Sequence, residues 1–207
     1  GQDLISLIIS KNINNLKIHA HVNSSKNTFK KYSNVKIIKS NFLLENEKKI
    51  LKKFDSNYDI LINLVGFIAN KKFENIKLNN VVNSIKVNSI IPLQIFRKSI
   101  KKLIFKKRGV IINTSSIGVK FGGGENTFAY SLSKHLNEFI PKYFRNLIKY
   151  NILYNVVRIG VVNTRIHNKI SNKDLNKRVK LIPRKKFLEV REVSEFIYFL
   201  MFKNKTI

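Results

Sequence analysis

Gly109-Val110-Ile111-Ile112-Asn113-Thr114-Ser115-Ser116 is an apolar run that ends on two hydroxyl side chains, and Tyr130-Ser131-Leu132-Ser133-Lys134 begins fourteen residues after the second of them. The first segment has the length and β-branching of a buried strand, and the second lies in a stretch of helical periodicity. A Tyr and a Lys four residues apart sit one helical turn from each other and share a face. Of the 40 basic residues 32 are Lys, so such a pair also arises by chance, as at Tyr32 and Lys36. Chance does not supply the order of the surroundings. Asn63-Leu64-Val65-Gly66 ends an apolar run upstream, the Ser pair ends a second, and Gly160 and Thr164 follow a third.

Outward from this segment, strand-length apolar runs alternate with longer stretches of helical period. That alternation predicts a parallel sheet with helices on both faces, a doubly wound α/β fold. Strands are expected at residues 17–22, 35–39, 60–64, 109–113 and 153–159. Helices are expected at 3–10, 43–54, 79–105, 127–149 and 190–202. Pro92 falls inside the third helix and predicts a kink or break there. Gly122-Gly123-Gly124 is the one glycine cluster and precedes the Tyr130 helix. With 207 residues, 43% of them hydrophobic, residues 1–207 are expected to form a single domain.

The chain has no Cys, which excludes disulfides and thiolate metal sites and fits a cytoplasmic setting. The longest apolar run, residues 60–69, is too short to span a bilayer. A formal charge of +28 invites a nucleic-acid reading, but Arg, the side chain that grips phosphate and base edges bidentately, is scarce and the Lys residues are dispersed. We expect a solvated basic surface whose field favours anionic ligands, with no nucleic-acid or membrane partner. Four His residues without an acidic pair carry no metal expectation.

The ordered series Asn63-x-x-Gly66, Asn88, Ser115-Ser116, Tyr130-x-x-x-Lys134 and Gly160-x-x-x-Thr164 resembles the active-site and cofactor signature of the short-chain dehydrogenase/reductase family. The resemblance implies a Rossmann-like fold and an NAD(P)-dependent oxidoreductase that interconverts a carbonyl and an alcohol. Within it Tyr130 is the general acid or base, Lys134 favours the phenolate and holds the nicotinamide ribose, and Ser116 donates to the carbonyl oxygen. Ser115 is the competing choice for that last role. Asn88 stands for the fourth member, whose backbone links the Lys through a water to solvent, with Asn83 as an alternative register. Asn63 and Gly66 border the cofactor ribose, and Thr164 behind Gly160 meets the carboxamide, although Ile159 replaces the family's Pro. Residues 165–186 are polar and basic, as a substrate lid or a variable surface loop would be.

Gly1 resembles the last glycine of the family's phosphate-binding turn, so the first strand and turn, and also the last strand, are expected to be missing from this chain. After the first expected strand, Asn23 and Ser24 stand where an acid would select NAD, and the lack of one favours NADP over NAD. Asn41 takes the place of an Asp near the adenine. The expected partners are a small carbonyl or alcohol substrate and further copies of the chain, in a homodimer or homotetramer. A catalytically silent relative that senses a dinucleotide or binds a protein is the alternative.

Overall fold

The computed structural model describes residues 1–23, 29, 31–162, 164 and 179–203. Helix α1 (Gln2–Ser10) leads into strand β1 (Ile18–Val22), which pairs in parallel with β2 (Val35–Lys39). After α2 (Glu47–Lys53), strand β3 (Ile60–Ile62) begins a second parallel sheet of order β3-β4-β5, with β4 at Gly109–Ser116 and β5 at Ile152–Ile159. Helices α3 (Leu78–Ile85) and α4 (Ile91–Lys106) connect β3 to β4, α5 (Phe128–Leu136) and α6 (Lys142–Arg145) connect β4 to β5, and α7 (Val190–Phe202) follows.

Strand β4 shows why the alternation of the sequence produces layers. Successive strand residues point to opposite faces, and Ile111 and Ile112 are both fully buried, in different cores. Ile111 packs with Ile91, Ile95, Ile100 and Leu103 of α4 and with Ile152 of β5. Ile112 packs with Leu4 and Ile8 of α1 and Ile197 and Leu200 of α7. Each such side chain contributes about 1.5–3 kcal/mol of burial, so the central strand is held from both sides.

Among the described residues β1 pairs only with β2 and β3 only with β4. A cleft of about 2260 Å³ lies between these two strands and continues past the C-terminal ends of β3 and β4, lined by His19, His21, Leu61, Asn63, Ser116 and Tyr130 among others.

Several elements depart from the periodicity. The stretch 43–54 becomes helical only at Glu47, because the Asn41 carboxamide oxygen accepts the Leu43 and Leu44 amides in a turn and Asn46 caps Lys49. The stretch 127–149 is broken: α5 stops at Leu136, and Pro141, which lacks an N–H and disfavours helix in the residue before it, starts the short α6. The long helix is interrupted before Pro92 by a π-turn at Lys86–Ile90, where the Ile91 amide bonds to the Lys86 carbonyl. Strand β4 runs three residues beyond its apolar part, since β5 pairs with it as far as Ser116↔Ile159.

Candidate active site

Two elements meet at the cleft. The turn before α5 is closed by Gly123 at φ +93°, where a Cβ would lie 2.6 Å from the Ser131 Oγ, so only glycine fits. From there α5 carries Tyr130 and Lys134 along one face, towards the C-terminal end of β4.

The two serines at that strand end divide sharply. Ser115 is buried, and its hydroxyl donates to Glu138 Oε1 at 2.6 Å. Glu138 in turn is gripped by Arg158 through Nε at 2.8 Å and Nη2 at 2.7 Å. Ser116 accepts the Gly118 amide at 3.2 Å, and its hydroxyl is near enough to the Tyr130 phenol to favour the phenolate. The geometry therefore places Ser116 beside Tyr130 and gives Ser115 to the strand's anchoring.

Burial holds the Tyr130 phenol above its ordinary value, and the Ser116 hydrogen bond offsets part of that. The Lys134 ammonium, 2% exposed, is lowered to about 8 by burial. Its Nζ donates to the Val65 carbonyl at 2.9 Å, the Thr114 carbonyl at 3.0 Å and the Thr114 hydroxyl at 3.3 Å. It stands 6.0 Å from the Tyr130 ring centroid. Lys134 is thus satisfied by the Val65 and Thr114 oxygens, and desolvation dominates at the phenol.

Asn88 lies in the π-turn, fully buried behind the cleft. Its carboxamide accepts the Phe67 amide at 2.7 Å and donates to the Phe67 carbonyl at 2.9 Å and the Ser133 hydroxyl at 2.8 Å. Asn63 ties strand ends together, with Nδ2 donating to Asn113 Oδ1 at 2.8 Å and Oδ1 accepting the Val65 amide at 3.0 Å.

Gly1, Asn23, Asn63, Gly66, Gly160 and Thr164 all line the same cleft as Ser116, Tyr130 and Lys134. Asn41 is not among its lining residues, and its carboxamide oxygen is turned onto its own loop. Ser24 and all of 165–178 lie outside the described residues. Among the described residues no His, Asp or Glu group could hold a metal ion, and no helix is long and apolar enough to cross a membrane. Three parts of the site escaped the sequence reading: Thr114, Asn137 and the Glu138–Arg158 pair. Asn137 carried a usable signal, since a polar residue three places after Lys134 falls on the buried face of α5.

The Glu138 anchor gives a pH prediction. Its carboxylate titrates below its usual value, first through the Arg158 hydrogen bonds and also through Ser115. A carboxylate depressed by folding stabilises above its unfolded value and loses that contribution as pH falls through the folded value. Glu138→Gln is expected to melt a few degrees below the parent chain at neutral pH, and the two melting temperatures should converge in acid. Parallel curves at all pH values would show that the ion pair is energetically silent.

A protein-family profile described as enoyl-(acyl carrier protein) reductase matches residues 34–206. The chain is similar to the 3-oxoacyl-[acyl-carrier-protein] reductase FabG of Aquifex aeolicus, 30% identical over 164 residues that cover 76% of this chain and 66% of the relative. It is also similar to the FabG of Buchnera aphidicola subsp. Baizongia pistaciae, 29% identical over 76% of this chain and 67% of the relative. The chain thus spans about two thirds of the length of these curated relatives. In fold it superposes on a short chain dehydrogenase from Leptospira borgpetersenii with bound NAD+, with a TM-score of 0.83 at 18% identity over 100% of this chain and 83% of the other. A 4-hydroxyisoleucine dehydrogenase complexed with NADH gives 0.80 at 22% identity over 97% and 85%.

Proposed function

Because the chain belongs to the short-chain dehydrogenase/reductase family, we propose that it is an NAD(P)-dependent oxidoreductase that interconverts a carbonyl and an alcohol, with Tyr130 moving the proton. The observation that carries this is the Tyr130–Ser116 hydroxyl pair in the cleft at the strand ends, with the buried Lys134 one turn along the same helix. Ligands of open α/β sheets bind at that end of the strands.

The donor set fits a dinucleotide. Lys134 is a buried cation whose hydrogen bonds all go to neutral oxygens, and burial alone lowers its pKa. It can exchange a carbonyl partner for ribose hydroxyls. Asn63, Gly66, Gly160 and Thr164 border the same space, and the chain's strong positive charge favours an anionic ligand. When bound, the nicotinamide supplies or accepts the hydride. In carbonyl reduction the Ser116 hydroxyl donates to the substrate oxygen, so that charge developing there meets a fixed dipole. Tyr130, protonated at neutral pH by its raised pKa, delivers the proton to that oxygen. With no acid at Asn23 after β1, we assign NADP ahead of NAD.

The substrate class we propose is a 3-oxoacyl thioester or a related ketone, on the strength of the relatives named above. We also propose a homo-oligomer, because α3, α4 and the end of α5 each expose large apolar side chains, Leu78, Val82, Leu93 and Leu136. The test is a panel of 3-oxoacyl thioesters and simple ketones with NADPH and with NADH, followed by loss of reduced-nicotinamide absorbance. Faster oxidation of NADPH with a carbonyl present supports the reading. Dinucleotide binding without turnover on any carbonyl would transfer the chain to the silent, sensing class.

A further inference from the structure

One residue beneath the catalytic group has no place in the role assignments above. Asn137 is 3% exposed, and its Nδ2 donates to two backbone carbonyls at once: Asn88 at 3.1 Å and Thr114 at 3.0 Å. Both acceptors matter. The Thr114 carbonyl is also 3.0 Å from the Lys134 ammonium. The Asn88 carbonyl is the one that would have bonded the amide of residue 92 in a continuous α-helix, and Pro92 has no amide to give. That carbonyl instead receives Asn137 and, at 3.3 Å, the Asn63 carboxamide.

We propose that Asn137 is a positioning residue for Lys134: its carboxamide shares the Thr114 carbonyl with the ammonium and, through the Asn88 carbonyl, fixes β4 against the π-turn. The sharing has an electrical consequence. A carbonyl that already accepts one hydrogen bond offers less to a second donor, so the charged form of Lys134 is held less firmly than Thr114 alone would hold it.

The other charged and titratable groups around Lys134 are engaged elsewhere. Lys86 of the π-turn bonds to the Leu43 and Glu45 carbonyls, and Glu138 is occupied by Arg158 and Ser115. His135 faces Glu138, and Tyr130 is bonded to Ser116. β3 and its following loop present only Asn63 and the Val65 carbonyl.

This inference rests on the assignment of Lys134 to the catalytic group, and its test needs no cofactor, so its failure leaves that assignment standing. The full chain is labelled in its lysine side chains, and the Lys134 signal is identified by its loss in Lys134→Arg and titrated by NMR. Asn137→Leu, similar in size and unable to donate, is expected to raise the Lys134 midpoint by about half a pH unit or more. Asn137→Ser, which can serve at most one carbonyl, should move it in the same direction and decides the matter if the Leu variant does not fold. Glu138→Gln, one residue along, should leave it in place. An unmoved midpoint in both Asn137 variants overturns the proposal, as does an equal movement in Glu138→Gln, which would mark a general disturbance of α5. Loss of the fold in both variants also overturns it, because the residue would then serve the core and not Lys134.

Discussion

Tyr130→Phe is expected to lower the turnover of carbonyl reduction by about 10²–10⁴-fold, the usual range for removing a positioned proton donor, and to leave the fold intact. The fold survives because the substitution deletes one hydroxyl whose partner, Ser116, keeps its bond from the Gly118 amide. The ring, which does the packing, is unchanged. Cofactor affinity should stay within a few-fold of the parent, since Lys134 is held by Val65 and Thr114 and not by the phenol. The effect therefore falls on kcat, as expected for an interaction made in the transition state. The pH dependence carries a sign as well. Burial raises the phenol's pKa in the free protein, so the acid form needed for reduction prevails at neutral pH. The reverse reaction needs the phenolate and should speed up as pH rises. Reduction by the Phe variant at the parent's rate would remove Tyr130 from the chemistry.

The sequence made legible those features that have a strong local cause. Strand β2 and helix α7 match their expected bounds at 35–39 and 190–202 because an apolar period and clean ends coincide there. The Tyr130–Lys134 face follows from helical spacing alone. What stayed hidden depends on long-range partners. The different surroundings of Ser115 and Ser116 come from Glu138 and Arg158, one from beyond the helix end and one from β5, and nothing local in Thr-Ser-Ser distinguishes the two. The expected 127–149 helix failed because a single Pro141 outweighs favourable periodicity on both sides. The Lys134 ammonium bonds the Thr114 and Val65 carbonyls, partners that no local spacing announces, since a buried ammonium takes whatever oxygen the neighbouring strands present. In a chain this rich in Asn, the motif frame singled out Asn63 and Asn88 but passed over Asn113 and Asn137, which are buried as well.

Asn88 is where that hidden network bears most on stability, and Asn88→Ala should be the most destabilising of the substitutions considered. Its carboxamide makes three hydrogen bonds at a fully buried site, two to the Phe67 backbone and one to Ser133. A buried polar group left without its partner costs about 1–3 kcal/mol, so the loss should come to about 3–6 kcal/mol, a large share of the roughly 5–15 kcal/mol that holds a domain together. For a chain of this size each kcal/mol is worth about 2–4 °C, which puts the fall in melting temperature at roughly 10 °C or more. Asn88→Asp should not rescue it. The carboxylate can still accept the Phe67 amide, but it cannot donate to the Phe67 carbonyl 2.9 Å away and would repel it. Asn83, half-buried within α3 and making none of these bonds, is the natural control, and Asn83→Ala should change the melting temperature by a degree or two at most. The consequence reaches the catalytic helix through Ser133, whose hydroxyl joins Asn88 to the Tyr130 carbonyl at 2.7 Å, next to Lys134 in the chain. Calorimetry on the three variants separates the cases: a large loss at 88 with little at 83 places the structural weight on the π-turn, whereas equal losses would move it to the helix as a whole and deny Asn88 its particular part.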